Sequence, residues 1–275
     1  MKKHIYFIVF LAFFINFYKL KAQNIDTIAI LIEQVRTEKD LNTRIEMAKK
    51  TDSIFYEVGK KTDFSVNYPQ NLQKYTSRLI SDDKKVVVVT WNIFLENGQY
   101  LYFGYIQYKN SPKEIYTYHL IDKSDEISNP ENSKLTIDKW FGCLYYDIIE
   151  KKAGKKKIYT LLGWDGNNYL TNKKIIEVIT FSNQKPSFGY QFNLGTKKTK
   201  RIIFEYNKEA NMNLLWDENQ KMIIWDHLSP SEPKFEGIYQ YYGPDFTYDG
   251  LVFKKKKWNF VENVEPKNTQ HLKSE

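Results

Sequence analysis

The sequence predicts a mainly β protein, built of antiparallel meander sheets and preceded by a small helical region. Beyond residue 83, runs rich in Val, Ile, Tyr, Phe and Trp alternate with Gly, Asn, Asp and Pro turn signals. Before residue 60, apolar residues instead recur every three or four positions. Most turns are short, which favours hairpins over the long crossovers of parallel α/β folds. A sandwich, a barrel-like sheet or a partial propeller all fit such spacing, and no repeat of 40 to 50 residues marks a regular propeller.

The chain begins Met1-Lys2-Lys3, and 5–17 is almost wholly apolar. Lys19, Lys21 and then Ala22-Gln23 follow. A basic start, an apolar run too short to span a bilayer and a small residue at the cut describe a secretory signal peptide. The expected divisions are 1–22 signal peptide, 23–62 amphipathic helices, 63–264 β-rich domain and 265–275 polar tail. The protein is therefore expected to be exported, to the periplasm or beyond, with no transmembrane segment after cleavage. With no cysteine near the cut it is not expected to be a lipoprotein. Cys143 is the single cysteine; it has no internal disulfide partner and reads as a small buried hydrophobe.

The helical part starts with Ile25, Ile28, Leu31 or Ile32, and Val35, with Asp26 and Thr27 as candidate caps. Leu41, Ile45, Ala48, Ile54, Phe55 and Val58 continue a second helix, and Gly59 is a plausible stop. Between 61 and 83, Tyr68-Pro69 favours extended or turn backbone, and 72–79 reads as a short helix. Strands are then expected at 85–94, 100–108, 115–121, 140–149, 157–163, 174–181, 201–206, 212–216, 222–226, 248–253 and 256–261. Glu96-Asn97-Gly98 is expected to close the first hairpin through a type I′ turn. The stretch 122–134 reads as a long polar loop.

Charge excludes little. Without the four lysines of the signal region, 37 basic side chains face 33 acidic ones, a net of +4 and an ordinary surface. No nucleic-acid partner is expected of an exported protein. The clusters at 155–157, 197–201 and 254–257 read as solvated turns and edges, where lysine blocks edge-to-edge pairing.

Several segments resemble one known family. They are Thr90-Trp91-Asn92, 98–109 (GQYLYFGYIQYK), 160–174 (TLLGWDGNNYLTNKK), 201–206 (RIIFEY), 226–230 (DHLSP) and 235–249 (FEGIYQYYGPDFTYD). Together they are similar to exported β-rich proteins of Bacteroidota with no assigned activity. The resemblance covers most of 80–262. It implies export and a single β-rich unit, and it carries no catalytic residue or cofactor.

Three constellations remain as sites. Asp226 and His227, with Ser229, Glu236, Asp245 and Asp249 downstream, are weak catalytic candidates for a hydrolase, His227 acting as general base. In a regular strand Asp226 and His227 point to opposite faces, while His227 and Ser229 share one. The run from Ser229 to Pro233 suggests a strand running into a rigid turn. The second group is Trp164 and Asp165 in Gly163-Trp164-Asp165-Gly166-Asn167-Asn168, which lacks the acid spacing of a calcium loop. The third is Tyr239, Tyr241, Tyr242, Asp245 and Asp249, where aromatic and acidic side chains together suit a sugar-like ligand. Histidines and cysteine are too few and too scattered for zinc, so no metal and no cofactor is expected. The expectation is a non-catalytic binding or envelope-associated module with an aromatic-rich surface, its partner an unknown polymer (a glycan among the options) or an envelope protein.

Overall fold

The structure is a computed structural model that describes residues 25–265, except 97, 112 and 113. The signal peptide expected at 1–22 and nearly all of the expected tail lie outside these residues. Helix α1 (Ile25–Thr37) buries Ile25, Ile28, Leu31, Ile32 and Val35 along one stripe. Asp26 and Thr27, expected as caps, stand within its first turn. There the Asp26 charge faces the positive end of the helix dipole. Helix α2 (Leu41–Gly59) is capped by Asp40, whose side chain accepts the Thr43 amide at 2.9 Å. No described helix is long and apolar enough to cross a membrane.

Three sheets follow. The first is β1 (Ser77–Ile80), β2 (Val86–Phe94), β3 (Tyr100–Ser111) and β4 (Glu114–Ile121), antiparallel in chain order. Its central strand β2 sends Val87, Val89, Trp91 and Ile93 against the helices and Val86 and Val88 the other way. Burial on both faces explains why β2 is a run of valines rather than an alternating strand. The second sheet holds β5 (Leu144–Ala153), β6 (Lys156–Asp165), β7 (Thr171–Ser182), β8 (Lys185–Phe188) and β11 (Ile202–Asn207). Its order is β11-β7-β6-β5, with β8 also paired to β7. The third contains β9 (Phe192–Leu194), β10 (Lys197–Thr199), β12 (Leu214–Asp217), β13 (Met222–Pro230), β14 (Tyr242–Lys254) and β15 (Lys257–Val261). Its order is β10-β9-β15-β14-β13-β12, and β15 with β9 is the one parallel pairing among the named strands.

The layers stack as helices, first sheet, second sheet, third sheet, with an apolar core at each of the three interfaces. The middle sheet is the most enclosed. On β6, Tyr159 and Leu161 face the first sheet while Ile158 and Leu162 face the third. No closed barrel forms; the arrangement is an extended sandwich.

All eleven expected strands are present, within a few residues at most ends. Expected boundaries fail in instructive places. Residues 72–79 were expected to be helical, but a 3-10 turn at 70–74 gives way to β1. The strands β8, β9 and β10 were not foreseen, being three or four residues long. The strand expected to run into a rigid turn near Ser229 does so: β13 runs through Pro230, and a 3-10 turn follows at Pro233–Phe235. In the first hairpin, the Gly98 amide donates to the Leu95 carbonyl and Leu95 donates to Gln99. The loop therefore spans 96–98, one residue longer than a type I′ turn, with Gly98 at φ +81° supplying the left-handed position.

An ion pair lies inside the first-to-second-sheet core. Arg201 and Glu177 have fully buried side chains, and the Arg201 Nε donates to Glu177 Oε2 at 2.7 Å. Every side-chain nitrogen and oxygen of both groups has a partner. Tyr145 donates its hydroxyl to the other Glu177 oxygen, Arg201 also donates to the Pro130 carbonyl, and Trp140 Nε1 donates to the Tyr145 hydroxyl at 2.8 Å. The backbone of Tyr145 in turn meets the first sheet: its amide donates to Thr90 Oγ1 at 3.1 Å, and Ser77 donates to its carbonyl.

Removing one partner leaves the other charge buried and alone. Arg201→Met is expected to cost about 3–5 kcal/mol of unfolding free energy. The double substitution Arg201→Met/Glu177→Leu is expected to recover more than half of that. Urea unfolding of the three proteins measures it; a single substitution under about 1 kcal/mol would rule the pair out as a structural centre.

Candidate functional site

Strand register places the turns at two ends of the stack. One end collects the loops at 95–99, 166–170, 207–210 and 231–241. The other collects 81–85, 154–155, 183–184, 218–221 and 255–256. A cleft of about 270 Å³ opens at the first end, between the start of β3, the 122–126 segment and the β6–β7 turn.

Three side chains from three elements build its floor. Asp165, at the last position of β6, accepts the Tyr102 hydroxyl at 2.8 Å and the Asn167 amide at 2.8 Å on the same oxygen. Tyr102, from β3, also receives the Gly166 amide on its hydroxyl at 2.9 Å. Asp122, just past β4, accepts Ser124 Oγ at 2.6 Å, the Ser124 amide at 3.1 Å and the Gly142 amide at 3.2 Å. Only glycine permits the last contact, because a Cβ at residue 142 would lie 2.4 Å from the Asp122 carboxyl carbon. Asp122 and Asp165 are each raised above the ordinary carboxylate range, burial being the largest cause. Hydrogen bonds to both carboxylates, and the Lys173 charge near Asp165, oppose that rise.

The walls are mixed. Tyr100 packs edge-on to Trp164 at 5.5 Å and to Phe94 at 5.3 Å. Lys173 donates to Asn167 Oδ1 at 2.7 Å, and Lys123 pairs with Glu126 at 2.6 Å. Tyr169 and Leu170 stand exposed on the β6–β7 turn, and Phe94 is exposed at the end of β2. The cleft therefore offers both donors and acceptors at short range beside aromatic ring surface. Its volume lies just below the roughly 300–1,000 Å³ of sites for drug-sized ligands, which suits a ligand near the size of one sugar ring.

Of the expected site residues, Asp165 lines this cleft. Trp164 does not; it is half-buried, holds Tyr100, and hydrogen-bonds the Tyr206 hydroxyl, which burial pushes up to about 12. Tyr239, Tyr241 and Tyr242 form their own group, Tyr239 lying 5.2 Å from Tyr242 and Tyr241 stacking on Phe235 at 4.0 Å. β11 stands between the two groups, with Asn207 donating to the Gln240 carbonyl. Sequence reasoning did not single out Tyr102, Asp122 or Lys173. The alternation Tyr100-x-Tyr102 and the Asp122-x-Ser124 turn were the available signals, and neither reveals that both meet Asp165.

Asp226 and His227 part company. A bulge in β13 between Asp226 and Leu228 breaks the register with β14. Asp226 accepts the Asn213 amide at 2.7 Å and Asn213 Nδ2 at 3.0 Å, and burial raises its pKa. His227 pairs through Nδ1 with Asp249 at 2.6 Å, which raises its pKa, with Asp245 and Glu262 adding to the effect. Its side chain is 46% exposed, on a strand face rather than in a pocket lined by Asp226. Asp245 is occupied by Thr247, whose amide and hydroxyl both donate to it. Ser229 lies farther along β13, beside Tyr241 and Tyr242 around a shallow open hollow.

Among the described residues, no group of three or more His, Cys, Asp or Glu side chains is placed to hold a metal ion. The Asp165 turn is closed by Tyr102 and Asn167, as tight-turn chemistry requires. Cys143 is buried with its sulfur against Gly163, and burial pushes its thiol well up. No family model, no curated protein and no solved structure matches the chain.

A raised carboxyl pKa means that ionising Asp165 costs the folded state more than the unfolded one. That penalty is fully present above the raised value and vanishes below the unfolded value of about 3.9. Asp165→Asn is therefore expected to raise Tm at neutral pH, and the gain should shrink as the solution is acidified. A loss at neutral pH would mean that the ionised carboxylate, held by Tyr102 and Asn167, is what the fold requires.

Proposed function

We propose that this protein is an exported, non-catalytic binding module, and that its cleft takes a neutral, hydroxyl-rich ligand such as the end of a glycan. The observation that carries this reading is the convergence of Asp122, Tyr102 and Asp165 on one small cleft beside the Tyr100 ring. Sugar hydroxyls need paired donors and acceptors, and the carbon-bound hydrogens of a sugar pack against aromatic faces. Carboxyl groups that are buried yet reach the cleft can accept from hydroxyls, and the Lys173 and Asn167 side chains beside them can donate. The aromatic surface supporting a longer chain is made of tyrosine and phenylalanine, because Trp91, Trp140, Trp225 and Trp258 are buried in the cores. Export follows from the basic and apolar start of the chain.

A hydrolase centred on Asp226 and His227 has less support. The two side chains serve different partners, Asn213 and Asp249.

Titration with a panel of neutral monosaccharides and their methyl glycosides, followed by tyrosine and tryptophan fluorescence or by NMR, tests the proposal. At least one is expected to bind. Asn167→Ala and Lys173→Ala are each expected to weaken it about tenfold or more, the value of a hydrogen bond to a charged or strongly polar site. His227→Ala is expected to leave it unchanged. Binding that survives both cleft substitutions, or the absence of binding across the panel, would overturn the reading.

A further inference from the structure

A second hollow opens at the same end of the stack as the cleft. Its lining comes from three segments: the end of β13 at 229–231, the 3-10 turn and start of β14 at 241–244, and Asn207 with Ala210 at the end of β11. It offers about 440 Å³ of open space beside the cleft's 270 Å³.

No charged side chain lines this hollow. In a chain with 27% charged residues, nine neutral lining positions differ from ordinary surface. They present hydroxyls and rings instead. The Ser229, Ser231 and Tyr241 hydroxyls line the space and make no hydrogen bond to another described residue. Tyr242 accepts the Gly237 amide on its hydroxyl at 2.9 Å, which leaves that hydroxyl's own proton to donate. Uncharged groups that both donate and accept, set beside aromatic rings, match an uncharged ligand rich in hydroxyls. The lining holds no Val, Leu, Ile, Met or Phe against which the apolar anchor of a protein partner would pack.

The end of β11 is a wall shared with the cleft. Asn207 lines the hollow, while the next residue, Lys208, reaches the cleft side. Its Nζ donates to the Gly166 carbonyl at 2.8 Å and lies 5.7 Å from the ring centroid of Tyr100, a cleft residue. In the order β11-β7-β6, the strands that end in Asn207 and Asp165 stand two spacings apart, about 10 Å. A short oligosaccharide spans that distance and a single sugar does not. The surface around both openings is also the most apolar exposed part of the molecule. Of the ten large apolar side chains exposed among the described residues, six stand on the loops of this end: Phe94, Tyr169, Leu170, Ile238, Tyr239 and Tyr241. The other four lie on four different segments, so exposed ring surface is gathered where the two openings are.

We propose that the hollow at Ser229 and Tyr242 is a second binding site for one neutral polysaccharide chain, which runs from the cleft across the end of β11. The inference rests on the reading of the cleft as a site for a neutral, hydroxyl-rich ligand, and it adds the polymer and its path.

Calorimetric titration with neutral gluco-, manno- and N-acetylglucosamine oligosaccharides, from mono- to hexasaccharide, tests it. For the sugar that binds the cleft, affinity is expected to rise about tenfold or more once the chain is long enough to fill both sites. Gly243→Leu fills the hollow. Its backbone is not left-handed, and a Cβ there meets only Ala210, at 3.8 Å, so the fold accommodates it. This variant and Tyr241→Ala are each expected to abolish the gain with length while leaving monosaccharide binding unchanged, which also reports that the cleft is intact. Asn167→Ala is expected to weaken short and long chains alike. Monosaccharide binding with no gain on lengthening, a gain that survives Gly243→Leu, or an equal gain for oligogalacturonates would each overturn the second site and leave the cleft reading standing. No binding at any length would overturn both.

Discussion

Burying a guanidinium and a carboxylate together is tolerable only when both find partners, and in the Glu177–Arg201 pair every side-chain nitrogen and oxygen is bonded, with parts from four places in the chain. Glu177 comes from β7, Arg201 from the entry to β11, the Tyr145 hydroxyl from β5 and the Pro130 carbonyl from the connection after β4. Because Tyr145 also binds the first sheet at Thr90 and Ser77, the pair can be satisfied only when the first two sheets are in register. Trp258 Nε1 on Thr160 Oγ1, at 2.9 Å, provides a similar polar pin between the second and third. The apolar cores supply the driving force, and these pins restrict which stacking satisfies it.

The same segment that completes the ion pair shapes the cleft. Trp140 and Tyr145 reach the Glu177 site, while Phe141 and the Gly142 amide, between them in sequence, reach the cleft and Asp122. Arg201 lies 5.8 Å from the Phe141 ring centroid, which ties the two regions together. A cleft whose acids are partly desolvated needs a rigid frame, or water would enter and relax their pKa values toward ordinary ones. Here the frame is the hydrogen-bonded network around Glu177 and Arg201.

Much of the fold was legible in the sequence, and the reason is burial. Val86 to Val89 and Trp91 read as a strand, and Ile25 to Val35 as a one-sided helix, and both are buried as such elements require. The short strands β8, β9 and β10 left no such trace, since three or four residues do not establish a period. The site was less legible because its members are brought together by stacking. Asp165 stood out as a turn residue, yet its partner Tyr102 lies 63 positions away. His227 was read with its neighbour Asp226, whereas the bulge and the cross-strand register hand it to Asp249. Adjacency in sequence misleads in a sheet, where the relevant neighbour sits on the next strand.

Native-state hydrogen exchange, followed by NMR across a denaturant series, tests most directly whether the ion-pair network holds the layers as one unit. The Trp140 indole proton and the Arg201 Nε proton should exchange only through global unfolding, with the same denaturant dependence as core amides of β2 and β6. Exchange of either proton through a local opening insensitive to denaturant, while those amides stay protected, would contradict the account.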